Sequence, residues 1–272
     1  MTGSRQNISH NIQLDEILQI AIIAAEKAAR CIEQNNDPQI IHFKSSLADI
    51  ESNADKKAEE LIVKTIQCKR PGDGVLGEEG SNIDSKNGLR WVIDSLDGST
   101  NYVYRTPHWA ISIACEKYTD EAWQAIVAVA YDICRNELFT AKKDHGSYLN
   151  GKKIKVNNTK ELMRAIVATG FSYQIHERCK QVEQLSSVLA HVRDTRCSGS
   201  TVLDLCWVAA GRLDACYEDT LHRWDWSAGK LLVEEAGGVV TQFGNGVIAG
   251  NSKLHKKLQL LLEVIIENDF AQ

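Results

Sequence analysis

Over residues 14–34 the apolar positions recur at helical spacing, with Leu14, Ile17, Leu18, Ala21, Ile22, Ala25 and Ala28 on one side and charges mostly opposite. That pattern predicts an amphipathic opening helix. The Asn35-Asn36-Asp37-Pro38 run breaks it, residues 40–43 read as a short extended run, and the serines among residues 44–52 suit turns. A second helix follows, capped by Ser52 or Asn53, with Asp55 in its first turns and an end near Lys69-Arg70-Pro71-Gly72. Val75, Leu76 and Gly77 predict a strand that breaks into a loop where Gly77 and Gly80 flank Glu78 and Glu79, and residues 81–90 read as an exposed loop.

Next comes Trp91-Val92-Ile93-Asp94-Ser95-Leu96-Asp97-Gly98-Ser99-Thr100-Asn101-Tyr102, an apolar strand that delivers two carboxylates into a turn. Gly98 permits unusual dihedrals, and Ser99 and Thr100 suit the start of a helix whose first amides face an anion. Residues 110–118, 125–132 and 137–141 predict an antiparallel meander, and Asn150-Gly151 a tight hairpin. Beyond it the pattern alternates: strands at 165–169, 195–197 and 215–218, and helices at 175–189, 202–211, 227–236 and 254–266. We therefore expect an α/β fold with two sheets: a subdomain over residues 1–150 with an antiparallel sheet and the acidic motifs, and an α/β subdomain over 151–272, joined as one integral domain.

With 272 residues, 43% hydrophobic and 25% charged, the chain can bury a large core. Its formal charge of -5 offers no general attraction to nucleic acid or to an anionic membrane, so an anionic substrate needs a local cation or amide cluster. The polar start lacks the apolar core of a secretory signal, and the longest apolar-rich stretch is too short to span a bilayer, so a cytoplasmic location is expected. The eight cysteines form no CxxC pair and read as free, buried thiols.

Four carboxylates stand out by position: Glu78, Asp94, Asp97, and Asp225 between two tryptophans. Any single loop carboxylate is more often solvated than functional, so only the combination carries weight. A phosphate beside Asp94 and Asp97 demands an intervening divalent cation, because like charges a few ångströms apart repel strongly in a cleft. Oxygen ligands favour Mg2+, and no histidine or cysteine pair has zinc spacing here. Trp91, Trp224 and Trp226 read as core walls, Lys44 as solvated, Glu79 as facing solvent or a neighbouring strand, and His108 and His222 as weak candidates for acid catalysis.

Gly77-Glu78-Glu79, residues 91–102, and Trp224-Asp225-Trp226-Ser227-Ala228-Gly229 running to Glu235-Ala236-Gly237-Gly238 together resemble the inositol monophosphatase family of magnesium-dependent, lithium-sensitive phosphatases. Lys44-Ser45-Ser46, Ala54-Asp55, and Gly199-Ser200-Thr201 with Leu203-Asp204-Leu205 extend the likeness along nearly the whole chain. The resemblance implies a layered αβαβα sandwich and two or three Mg2+ ions. It makes Glu78, Asp94 and the Leu96 carbonyl ligands of one ion, and Asp94, Asp97 and Asp225 ligands of another. It places Asp55 and Ser99 beside an attacking water, and the phosphate on the amides of Gly98, Ser99 and Thr100. Gly199, Ser200, Thr201 and Glu218 would then face the polyol. The implied activity is hydrolysis of a small polyol or sugar phosphate, foremost myo-inositol 1-phosphate, by a homodimer. Relatives that act on fructose 1,6-bisphosphate, histidinol phosphate or 3'-phosphorylated nucleotides keep the substrate open, as do a non-catalytic RNA-related regulatory role and a structural calcium protein. Two departures stand out: Ser95 where the family usually has proline, and Ser227 where it usually has alanine or cysteine. Ser227 is expected to hydrogen-bond Asp225 or a backbone carbonyl of the preceding turn.

Overall fold

The computed structural model describes residues 2–35 and 38–269, so Asn36 and Asp37 of the expected break lie outside the described residues. Helix α1 (Thr2–Glu33) begins well before the amphipathic stretch that predicts it and buries Leu14, Ile17, Ala21, Ala25 and Ala28. A hairpin of β1 (Ile40–Phe43) and β2 (Ile50–Ser52) leads into α2 (Asp55–Lys69). The N-cap position of α2 is Ala54, with no side-chain cap, rather than Ser52 or Asn53. Ser52 instead accepts a hydrogen bond from the Ala54 amide at 3.2 Å.

Strands β3 (Gly74–Gly77), β4 (Asn82–Ile83) and β5 (Leu89–Asp97) follow, so part of the expected 81–90 loop is extended. The short helix α3 (Ser99–Val103) separates β5 from the meander β6 (Ala110–Thr119), β7 (Ala122–Asp132), β8 (Glu137–Lys142), β9 (Gly146–Leu149) and β10 (Lys152–Lys153). These strands form one eight-stranded sheet in the order β10-β9-β8-β7-β6-β5-β3-β4, antiparallel except where β3 runs parallel to β5.

The second half contains β11 (Ile166–Thr169), α4 (Ile175–Leu189), β12 (Asp194–Arg196), α5 (Thr201–Ala209), β13 (Ala215–Glu218), α6 (Arg223–Glu235), β14 (Val239–Phe243), β15 (Gly246–Gly250) and α7 (Ser252–Asp269). Its five strands pair in the order β12-β11-β13-β15-β14. The β14–β15 hairpin has no counterpart in the sequence reading, because its apolar run merges with the glycines that end α6. Helix α6 also starts earlier than expected, at Arg223, which puts Asp225 in its first turn.

Three cores alternate with the two sheets to give an αβαβα sandwich. The first packs α1 and α2 against one face of the large sheet, through residues such as Ile17, Ile62, Trp91 and Ile113. The second fills the space between the sheets with α5 and α6, through Val92, Phe139, Leu203, Leu205 and Leu232. The third lies under α4 and α7, through Val188, Tyr217 and Leu258. Because β5 contributes Trp91 and Ile93 to the first core and Val92 to the second, its residues from Trp91 to Leu96 are all buried. Of the eight free cysteines only Cys115, Cys206 and Cys216 are fully buried; Cys68, Cys134, Cys179 and Cys197 are exposed, which corrects the expectation of buried thiols. Among the described residues no helix is long and apolar enough to cross a membrane.

Candidate active site

The end of β5 is where both halves of the chain meet. In a regular strand, residues three apart point to opposite faces. The pairing of β5 with β6 loses its register between Asp94 and Asp97, which lifts that restriction and lets both acids serve one site. The Asp94 carboxylate accepts the Leu96 amide at 3.0 Å, which tightens the turn. Gly98 then takes φ 97°, and a Cβ there would stand 3.0 Å from the His108 carbonyl and 3.1 Å from that of Gly199. Both the dihedral and the close backbone approach require glycine.

Asp55 enters from the start of α2, fully buried. One of its oxygens accepts the Ser52 amide at 2.9 Å and the Ser52 hydroxyl, and the other accepts the Ser99 hydroxyl at 2.5 Å. Ser99 Oγ also lies 3.0 Å from the Leu96 carbonyl, but its single proton is better spent on the carboxylate. Burial pushes the Asp55 carboxyl above its ordinary range, against the lowering effect of the Ser52 and Ser99 hydrogen bonds. The Ser95 hydroxyl donates to the Asp55 carbonyl at 2.8 Å, so the serine in the turn ties β5 to α2.

Glu78 and Glu79 sit in the loop after β3. Lys44, expected to be solvated, bridges them with Nζ 2.9 Å from Glu78 and 2.6 Å from Glu79. Burial would lower the Lys44 ammonium, but the charges and hydrogen bonds of the two glutamates outweigh it and hold the group well above the ordinary lysine range. Glu79, expected to face solvent or a strand, is buried instead, and burial pushes it up to about 7. Glu59, which sequence reasoning passed over, shapes this loop by accepting the amides of Glu79 and Ser81 at 2.8 and 2.9 Å. A Cβ on Gly77 would meet that carboxylate at 2.5 Å.

From the second half, Asp225 faces this group of acids while accepting the His222 amide at 2.7 Å, and so closes the first turn of α6. One oxygen of Asp97 accepts both the Ser200 hydroxyl and the Val202 amide at 2.7 Å, so the carboxylate binds the start of α5 to the end of β5. Thr201 donates to Glu218 at 3.1 Å, and Glu218 fits against Gly170, where a Cβ would clash at 2.2 Å. Asn101, not singled out in the sequence, donates to the carbonyls of His108 and Ser198 at 2.8 Å and spans the two halves. Nearby Asp204 is pushed up to about 8 by burial.

The acids feel one another. Asp94 is raised well above its ordinary range by burial and then by the charges of Glu78, Asp97 and Asp225. Asp225 is raised by burial and then by Glu78, and Asp97 reaches about 7 through burial despite its hydrogen bonds to Ser200 and Val202. A buried set of like-charged hard oxygens suits a divalent ion such as Mg2+ better than it suits four separate protons. Among the described residues no three acid, histidine or cysteine side chains are already drawn to coordination distance of one point.

Other candidates fall away. Trp91 is core, its indole donating to Asp73 at 2.9 Å. His108 is buried edge-on to Trp207, and burial lowers its pKa. His222 stacks on Trp224 and is largely exposed. Ser227 departs from expectation: its hydroxyl turns away from Asp225 and donates to Glu116 at 2.6 Å.

A sequence profile of the inositol monophosphatase family matches residues 13–268. The chain is 38% identical over 255 residues to Nus factor SuhB of Salmonella typhimurium, covering 89% of this chain and 94% of that protein. The crystal structure of extragenic suppressor protein suhB from Bartonella henselae superposes with a TM-score of 0.83 at 34% identity, covering 91% of this chain and 98% of the other. An inositol monophosphatase from Anabaena (Nostoc) gives a TM-score of 0.81 at 30% identity, covering 92% and 96%. A match of this length in both sequence and fold establishes that the chain belongs to the inositol monophosphatase family.

Proposed function

We propose that this protein is a Mg2+-dependent phosphomonoesterase whose substrate is a small polyol phosphate, foremost myo-inositol 1-phosphate. The observation that supports it most is the Asp55–Ser99 hydrogen bond at 2.5 Å, made by a carboxylate close enough to Glu78 to be raised by its charge. Glu78, Asp94, Asp97, Asp225 and the Leu96 carbonyl would hold the ions, which on binding neutralise anionic ester oxygens and ease ionisation of water. The chain supplies the rest. Ser99 orients a water through its hydroxyl, and Asp55, raised by burial, is suited to take the proton. The amides of Gly98, Ser99 and Thr100 open a helix and receive the phosphate. Glu218, beside Thr201, accepts hydrogen bonds from substrate hydroxyls.

The test is phosphate release with Mg2+ from myo-inositol 1-phosphate, fructose 1,6-bisphosphate, histidinol phosphate and a 3'-phosphorylated nucleotide. The first should give the highest kcat/KM, and Asp94→Asn should abolish the activity. A nucleotide preferred by orders of magnitude would reject the polyol assignment, and release unchanged in Asp94→Asn would reject the site. A second reading, a regulatory member without catalysis, draws on the Nus factor name of the Salmonella relative. It predicts no hydrolysis of any of the four esters.

A further inference from the structure

Glu116 lies on β6 directly opposite Arg90 of β5, with none of its surface exposed. A carboxylate that deep is tolerated only when its charge and lone pairs are matched. One oxygen takes the Arg90 guanidinium through Nε at 2.8 Å and a terminal nitrogen at 2.7 Å. The other takes Arg223 through Nε at 2.7 Å and a terminal nitrogen at 2.6 Å, and also the Ser227 hydroxyl at 2.6 Å. Arg223 further donates to the Trp123 carbonyl at 2.8 Å. Each guanidinium lies over an indole, Arg90 on Trp123 at 4.4 Å and Arg223 on Trp226 at 4.3 Å. Two planar forks and two ring faces leave the carboxylate little freedom.

The placement of the partners gives the cluster its meaning. Arg223 and Ser227 stand two residues before and two residues after Asp225 in the first turns of α6. Arg90 stands on β5, the strand that carries Asp94, Leu96 and Asp97. Glu116 therefore joins the helix that presents Asp225 to the strand that presents the other acids. We propose that Glu116 is a positioning residue, acting through Arg223 and Ser227 to set Asp225 at the distance from Asp94 and Asp97 that a shared divalent ion requires. The inference rests on the reading that these acids hold metal.

Mn2+ titration of the full chain, following free Mn2+ by electron paramagnetic resonance, separates that role from simple support of the fold. Partners behind ligating residues commonly change metal affinity 10- to 100-fold. Glu116→Gln should weaken the ion that depends on Asp225 by about that factor, toward the behaviour of Asp225→Asn, and leave the more tightly held ion within about twofold. Activity should follow in the same form: a raised Mg2+ requirement, with kcat recovered at saturating metal. A lowered Tm with both Mn2+ affinities within twofold of wild type would overturn the inference while leaving the phosphatase reading intact. A wild-type chain that binds no Mn2+ would overturn both. If Glu116→Gln does not fold, Arg223→Lys and Ser227→Ala keep the carboxylate partnered, and unchanged affinity for the weaker ion in both would equally overturn it.

Discussion

The acid cluster is expected to make the stability of the metal-free protein fall as pH rises, which is the reverse of ordinary acid denaturation. Asp97 shifts from an ordinary 3.8 to about 7 because folding buries it, while Asp94 and Asp225 are also raised. The native state therefore keeps a proton that the unfolded chain has already lost. Stability from such a group is fully present below the unfolded pKa of about 3.9 and is lost as pH rises through the folded value, at up to about 1.4 kcal/mol per pH unit. Between about pH 5 and pH 7, loss of one proton shared among these interacting acids is expected to remove roughly 2–3 kcal/mol. At about 2–4 °C per kcal/mol for a chain of this size, Tm should drop by roughly 5–10 °C. Thermal unfolding in EDTA across that range measures the drop, and the same series with Mg2+ should flatten it, because the ion takes the place of the protons. Asp97→Asn should flatten part of the slope in EDTA. A Tm that stays level or rises from about pH 5 to pH 7 in EDTA, or an Mg2+ effect independent of pH, would refute the argument.

Two further outcomes probe the turn after β5. Ser99→Ala removes the hydroxyl that orients water beside Asp55, so kcat should fall about 10²- to 10⁴-fold with KM changed far less; a small loss measured by phosphate release would leave Ser99 with only a structural part. Gly98→Ala forces a side chain into positive φ and against two carbonyls at 3.0 and 3.1 Å, so denaturant unfolding should show a loss of roughly 1–3 kcal/mol.

Much of the architecture is legible because it follows from local periodicity. The 3.6-residue stripe of α1, the strand runs of the meander and the Asn150-Gly151 turn, with φ of 47° and 75°, each report their own geometry. Helix α4 occupies the stretch its pattern predicts, residues 175–189. The misses share a cause. Helix α6 begins at Arg223 because Asp225 folds back onto the His222 amide, a tertiary arrangement of an acid that reads as a loop ligand in the sequence. Lys44 reads as solvated because its partners lie 34 and 35 residues away. Glu116, not singled out in the sequence, gains its partners only when two arginines from distant segments enclose it.

The sequence by itself determined the α/β class and the order of the acidic motifs, because apolar spacing, glycine placement and residue chemistry act over a few neighbours and survive in one dimension. Only the tertiary structure decided which charges are shared: Lys44 with Glu78 and Glu79, Asp97 with the start of α5, and Glu116 between β5 and α6. The physical reason is that the energy of a buried charge depends on what stands within a few ångströms of it, and those neighbours come from elements that only packing brings together.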